Sequence, residues 1–327
     1  MRILILGGTV FLGRHVAEAA LARGHELTLF TRGVHGAGLF PEAEHLRGDR
    51  SADVSALRGR EWDAVIDTSG YKPADVAASS AALAGSGAHL VFVSSCNVYP
   101  GWPAEVVDED SPTWQTDDDD YGPAKAACER AAEAALPGRV ATVRAGLIVG
   151  PYDGVFRLPW WVKRIAAGGE VPAPGDPARE LQIVDARDLA AWMLDLAERR
   201  VAGAFNGTAP VGQTTMGELL EAAVEATGSG ARLTWLPDEA LRAAGVEPWM
   251  ELPLWIPEDE GAGTWRVGTE RAQAAGLRCR PIADTVADVW AWLRDGGESD
   301  LSDWGSHARP RPMGAERERE LLAALGP

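Results

Sequence analysis

The chain has 327 residues, 46% of them hydrophobic and 24% charged, enough for a large buried core in one large or two unequal domains. Its 48 acidic residues against 31 basic ones give a formal net charge of −17. That field repels polyanions and argues against nucleic acid or an anionic membrane as a general partner. The three cysteines (Cys96, Cys128, Cys279) and the six histidines show no metal-ligand spacing. Free thiols in a reducing cytosol and no metal are therefore expected. The opening apolar run, residues 1–6, meets glycine at once and is too short for a signal peptide or a membrane span. No span follows, so a soluble, cytoplasmic protein is expected.

In chain order, apolar strand-like runs fall at 2–6, 26–31, 44–47, 63–67, 89–94 and 140–144, with helix-like runs at 12–23, 73–84 and 121–135. Continuous apolar strands separated by helices imply a parallel sheet covered on both faces. With right-handed crossovers this is an α/β doubly wound (Rossmann) dinucleotide-binding domain over residues 1–150. After Gly150-Pro151 the rhythm changes. Helices are expected near 157–167, 185–200, 215–227 and 281–294, and short strands near 181–184, 203–206 and 232–236. Residues 151–295 thus read as a smaller C-terminal substrate lobe, partly interleaved with the sheet domain. Residues 296–312, rich in Gly, Ser, Asp and Pro, read as a surface tail, followed by a short helix at 315–325.

Gly7-Gly8-Thr9-Val10-Phe11-Leu12-Gly13 follows the first strand and opens a helix. Backbone N–H groups and a helix N-terminus in that context can hold a pyrophosphate; a plain strand–turn–helix is the alternative. The second strand ends Phe30-Thr31-Arg32-Gly33. An acidic residue there would accept from ribose hydroxyls, whereas Arg accommodates a 2′-phosphate. Thr31 and Arg32 therefore favour NADP(H), with NAD(H) as the alternative and an exposed loop arginine as the simplest explanation. Gly48-Asp49, after the third strand, either caps the adenine amino group or makes a turn.

Tyr121-Gly-Pro-Ala-Lys125 places a phenol and an ammonium on one helix face. A neighbouring positive charge favours the phenolate, so the pair can exchange a proton with a hydroxyl or carbonyl centre. The acidic run at 117–120 directly before it is either a solvated loop ending in a helix N-cap or a lip for a cationic group.

With Asp67-Thr68-Ser69-Gly70, Val93-Ser94-Ser95-Cys96-Asn97-Val98-Tyr99 and Arg144-Ala145-Gly146-Leu147-Ile148-Val149-Gly150-Pro151 in this order, residues 1–295 resemble the extended short-chain dehydrogenase/reductases, the NAD-dependent epimerase/dehydratase family. The resemblance implies that Ser95 polarises the substrate oxygen and Tyr121 transfers the proton. Lys125 would keep the tyrosine ionisable and contact the nicotinamide ribose. Gly7, Thr9, Val10, Phe11, Leu12, Gly13, Thr31, Arg32, Asp49, Thr68 and Ser69 would line the cofactor. Val10 replaces the middle glycine of the family's loop. Ser94 is read as structural.

Two departures narrow the chemistry. Dehydratases of this family carry Asp-Glu where this chain has Cys96 and Asn97, so loss of water is disfavoured. Nucleotide-sugar epimerases commonly carry an arginine where this chain has Leu181, and the nearest arginine is Arg179. Thirteen tryptophans, most of them in the C-terminal half, suit a flat apolar substrate or simply a core. Asn97, Trp102, Trp160 and Arg179 are the candidate substrate contacts.

The expected function is NAD(P)-dependent hydride transfer at a carbonyl or carbinol carbon, with a small metabolite reduced. A sugar epimerase using the same residues is the alternative, and a non-catalytic cofactor sensor or RNA-associated protein is the alternative of another class. The resemblance also leaves room for a homodimer.

Overall fold

The computed structural model describes residues 1–116, 118–261, 263–298 and 310–325. Six strands of the N-terminal half build the sheet: β1 (Arg2–Leu6), β2 (Glu26–Thr31), β3 (Glu44–Arg47), β4 (Ala64–Asp67), β5 (His89–Ser95) and β6 (Val140–Ala145). The next strands are β7 (Leu147–Val149), β8 (Glu170–Pro174), β9 (Glu180–Leu181) and β10 (Ile183–Asp185). They are followed by β11 (Gly203–Gly207), β12 (Thr214–Thr215) and β13 (Arg232–Leu236). The helices are α1 (Phe11–Ala22), α2 (Pro73–Leu83), α3 (Tyr121–Ala135), α4 (Arg157–Ala166) and α5 (Ala186–Arg199). Further along the chain come α6 (Met216–Thr227), α7 (Asp238–Ala243), α8 (Glu270–Ala274), α9 (Ile282–Arg294) and α10 (Ala315–Leu325).

The central sheet has seven strands in the order β11-β6-β5-β4-β1-β2-β3, all paired in parallel. Its order reverses between β1 and β4, the switch point at which doubly wound sheets open a crevice beyond their strand ends. Both faces are buried, which explains the unbroken apolar runs in the sequence. On β1, Ile3 and Ile5 pack toward α1 and α5, while Leu4 and Leu6 join Phe92, Val76 and Leu136 on the α2–α3 face.

The C-terminal half does not stand apart. β11 completes the sheet edge beside β6, and α5 lies along α1. The rest forms a second core around Trp161, Leu219, Leu220 and Trp255, where α4, α6 and α9 meet. β7, β8, β12, α7 and α8 are elements that the sequence pattern does not announce; the first four are at most six residues long and α8 only five, too short to show a period.

The helix expected at 315–325 is present as α10, and it is docked rather than standing off the surface. Leu321 is buried in the second core, and Glu318 pairs with Arg164. The stretch 299–309 of the expected tail lies outside the described residues, as does Asp117 of the acidic run.

Candidate active site

Strands β1, β4 and β5 are neighbours, so their carboxyl ends bring three loops together. The first is the glycine loop. Gly7 and Gly8 have φ of +107° and +100°, conformations that favour glycine. A Cβ on Gly7 would stand 2.6 Å from Thr68 Oγ1, and one on Gly13 would stand 2.8 Å from Gly8 N. The loop, α1 and the end of β4 therefore close on one another to within backbone contact.

Val10 is the N-cap of α1 and offers no side-chain cap, and the first turn carries no acidic residue. The helix N–H groups are thus left for an anion, the arrangement that suits a dinucleotide pyrophosphate. Thr9 touches the loop after β2 at Gly36, while Phe11 and Leu12 turn inward to the core. Thr68 and Ser69 both donate their hydroxyls to Leu6 O, at 3.2 and 3.1 Å. The residues present fit a dinucleotide.

Thr31 is half-buried at the end of β2, and Arg32 beyond it is exposed. Asp49 accepts from the Ser51 N–H and hydroxyl at 3.0 and 2.7 Å, so it does form the turn. Those bonds, helped by Arg32 and Lys72, hold its carboxyl below the usual range.

Two arginines that the sequence does not single out stand here. Arg47 lays its guanidinium against Gly33. Arg50 grips Asp67 with both ends of its fork, at 2.8 and 2.9 Å, and also donates to Ser69 and Ser79. A lone arginine after Gly-Asp carries no pattern of its own; the fold brings the loop after β3 to Asp67 at the end of β4.

The end of β5, the loop after it and α3 carry the candidate proton-handling residues. Ser95 ends β5, buried, with its hydroxyl donating to Asn97 Oδ1 at 2.9 Å and accepting from Asn97 N at 3.2 Å. Tyr121 is the first residue of α3 and is half exposed. Burial raises the pKa of its phenol, and the nearby Ser95 hydroxyl opposes that shift without cancelling it. Asp120 occupies the N-cap position without a side-chain capping bond.

Lys125, one turn on, is 3% exposed and donates to Gly70 O at 2.8 Å and Val93 O at 2.6 Å. Burial lowers its pKa to about 8, against the pull of Cys128, Asp67 and Glu129.

Behind these residues runs a buried polar chain. Ser94 donates to Glu129, which pairs with Arg144, and Arg144 donates to the Tyr99 hydroxyl at 2.8 Å. Tyr99 in turn donates to Asn206 on β11 at 2.7 Å. Ser94 is structural in this sense. Cys96 donates to Arg144 O, and burial pushes its thiol up to about 12, so it holds no usable acid or base at neutral pH. Among the described residues no group of His, Cys, Asp and Glu gathers as a metal site.

Residues 73–212 match the family model described as the NAD dependent epimerase/dehydratase family. Over that stretch, which runs from α2 through β11, the chain is similar to that family. An epimerase family protein of Bos taurus is 29% identical over 265 residues, covering 74% of this chain and 86% of its own length. The fold is shared with the Bordetella bronchiseptica enzyme WbmH in complex with NAD+, at 20% identity over 91% of this chain and 99% of that one, TM-score 0.68. It is also shared with the UDP-glucose 4-epimerase of Thermotoga maritima with UDP-glucose, at 18% identity, 91% and 100% coverage, TM-score 0.66. The family match and the shared fold support an enzyme of the nicotinamide-dependent epimerase/dehydratase type.

On the family's substrate side, Asn97 is exposed beside Ser95, and Trp102 packs against the Cys96–Tyr99 cluster with its indole N–H buried and without a partner. Trp160 stacks edge-on against Trp161 at 4.6 Å, within the second core. Arg179 is committed to Asp238, at 3.0 and 2.7 Å, and to Ile256 O at 3.1 Å. A substrate diphosphate at Arg179 would have to break that pair. No helix among the described residues is long and apolar enough to cross a membrane.

Proposed function

We propose that this enzyme reduces the carbonyl group of a small metabolite, with NADP(H) as its preferred cofactor. The observation that carries the reading is the placement of the Ser95 hydroxyl at the end of β5, of a half-exposed Tyr121 phenol at the start of α3 and of Lys125 one turn on. Such a phenol is protonated at neutral pH and is therefore a donor, the role that carbonyl reduction requires. When bound, the cofactor supplies the hydride to the carbonyl carbon. Ser95 holds the substrate oxygen, and Tyr121 gives it a proton as negative charge develops there, a contribution typically worth about 10²–10⁴-fold. Lys125, buried one turn on from Tyr121, would supply positive charge behind the site. Asn97 and Trp102, both between Ser95 and Tyr121 along the chain, are the substrate contacts favoured here over Trp160 and Arg179. Arg32, exposed at the end of β2 with Arg47 beside it, supports the choice of NADP(H).

The experiment is a substrate panel of aldehydes and ketones run with NADPH and NADH, on the native enzyme and Tyr121→Phe. The variant is expected to lose turnover by about 10²-fold or more while binding cofactor as before. Full activity in Tyr121→Phe would sink the assignment. The second reading is an epimerase, supported by the folds of the two enzymes named above. It predicts NAD(H) copurifying in stoichiometric amount, with no net consumption during turnover.

A further inference from the structure

Lys125 is one helical turn from the half-exposed Tyr121, yet its ammonium is almost wholly removed from water. Two sides of it are taken by the carbonyls of Gly70 and Val93. Two more are taken by aromatic faces, with Phe92 at 4.8 Å and Tyr71 at 5.2 Å from ring centroid to Nζ. Phe92 is buried in the sheet core. Tyr71, in the turn between β4 and α2, is 48% exposed, so its outer side faces the cleft and its inner side covers the lysine.

We propose that Tyr71 is a positioning residue of the active site: its ring is the cleft-side wall of a dry box that holds the Lys125 ammonium on the Gly70 and Val93 carbonyls and keeps water from it. Its own phenol is held protonated by its surroundings, by Tyr121 and by Asp67, so it does not compete as a base.

The other charges facing the lysine come from every neighbouring element. Asp67 ends β4, and Arg50, after β3, is paired with it. Glu129 lies one turn further along α3, paired with Arg144 of β6. Cys128 is on the same helix, and Tyr121 stands on the cleft side. Asp67, Glu129 and the thiol favour the ammonium and Arg50 opposes it, but burial outweighs them all. Opening the box removes part of that burial, so the lysine should move back toward its ordinary value near 10.5.

The consequence for catalysis rests on the reading of Tyr121 and Lys125 as the catalytic pair; the box itself does not. The chain has three lysines, Lys72, Lys125 and Lys163, and the other two are exposed. Protein labelled with ¹³C at lysine Cε therefore gives three side-chain signals to follow against pH, assigned with Lys72→Arg and Lys163→Arg.

Lys125 is expected to titrate near pH 8 in the native chain. Tyr71→Phe, which keeps the ring, should leave the midpoint within about 0.3 of that value, and Tyr71→Ala should raise it by about one pH unit or more. Tyr71→Leu, which keeps partial cover should the alanine variant not fold, is expected in between. An unchanged midpoint in a folded Tyr71→Ala or Tyr71→Leu overturns the proposal, as does a Tyr71→Phe shift equal to that of alanine. The titration is read without substrate. An active Tyr121→Phe with the lysine behaving as expected would defeat the catalytic assignment alone.

Discussion

Asp153 turns its carboxyl into the protein in the loop after β7 and is 1% exposed. One oxygen accepts from Val155 N at 2.9 Å; the other is buried with no hydrogen-bond partner. Desolvation outweighs the attraction of Arg157 and lifts the pKa from 3.8 to about 6. The folded protein therefore holds this proton more tightly than the unfolded chain does. Its stabilising effect is complete below about pH 4 and is lost as the pH rises through 6, a change of about 3 kcal/mol. Asp153→Asn keeps the acceptor for Val155 and has no charge to bury. It is expected to gain on the native protein between pH 4.5 and 7.5, measured by urea unfolding at the two values. An equal stability difference at both would mean that water or a counter-charge reaches the buried oxygen.

At the scale of elements, α3 is the part on which the site depends, because Tyr121, Lys125 and Glu129 lie on one face of it. Its second residue is Gly122, and a Cβ there would stand 2.3 Å from Asn97 O. Alanine is the better helix former by up to about 1 kcal/mol, but a backbone clash of this size costs more, so Gly122→Ala should destabilise by about 1–3 kcal/mol net. The helix start would lift off the Cys96–Val98 turn, carrying Tyr121 away from Ser95. The fall should appear in kcat more than in cofactor affinity, alongside a lower unfolding midpoint. A kcat unchanged in Gly122→Ala would show that the approach of helix to turn does not set the catalytic geometry.

This helix also marks what the sequence makes legible. Tyr121, Lys125 and an alanine-rich buried face announce it with its bounds, and the long buried strands announce the sheet. What stays hidden is set by partners distant in the chain. Arg50 finds Asp67, Tyr71 covers a lysine 54 positions away, and Arg179 is drawn to Asp238 rather than toward the cleft. Most of the buried tryptophans behave likewise: Trp161, Trp192 and Trp255 are core, which an aromatic count cannot distinguish from a binding wall.

At the scale of the whole molecule, the C-terminal lobe has its own core, and α10 closes it. Met313 and Leu321 are buried against that core, and Glu318 meets Arg164 Nε at 2.7 and 2.8 Å. Each terminal nitrogen of Arg164 also donates to a carbonyl, Gly168 O and Glu170 O, so the group is held in place whether or not Glu318 is present. Removing the carboxylate strands a mostly buried cation. Breaking a buried pair typically costs about 3–5 kcal/mol, and the residual exposure of Arg164 argues for about 2–3 kcal/mol in Glu318→Ala. Glu318→Gln keeps an acceptor and should cost less. Because α10 packs on the lobe, while the candidate cofactor loops follow β1, β2 and β4, the loss should appear as a lower unfolding temperature with an unchanged dissociation constant for the nicotinamide cofactor at 25 °C. If affinity falls together with stability, the two cores unfold as one unit, and β11, which carries the lobe's chain back into the sheet beside β6, is the element that couples them.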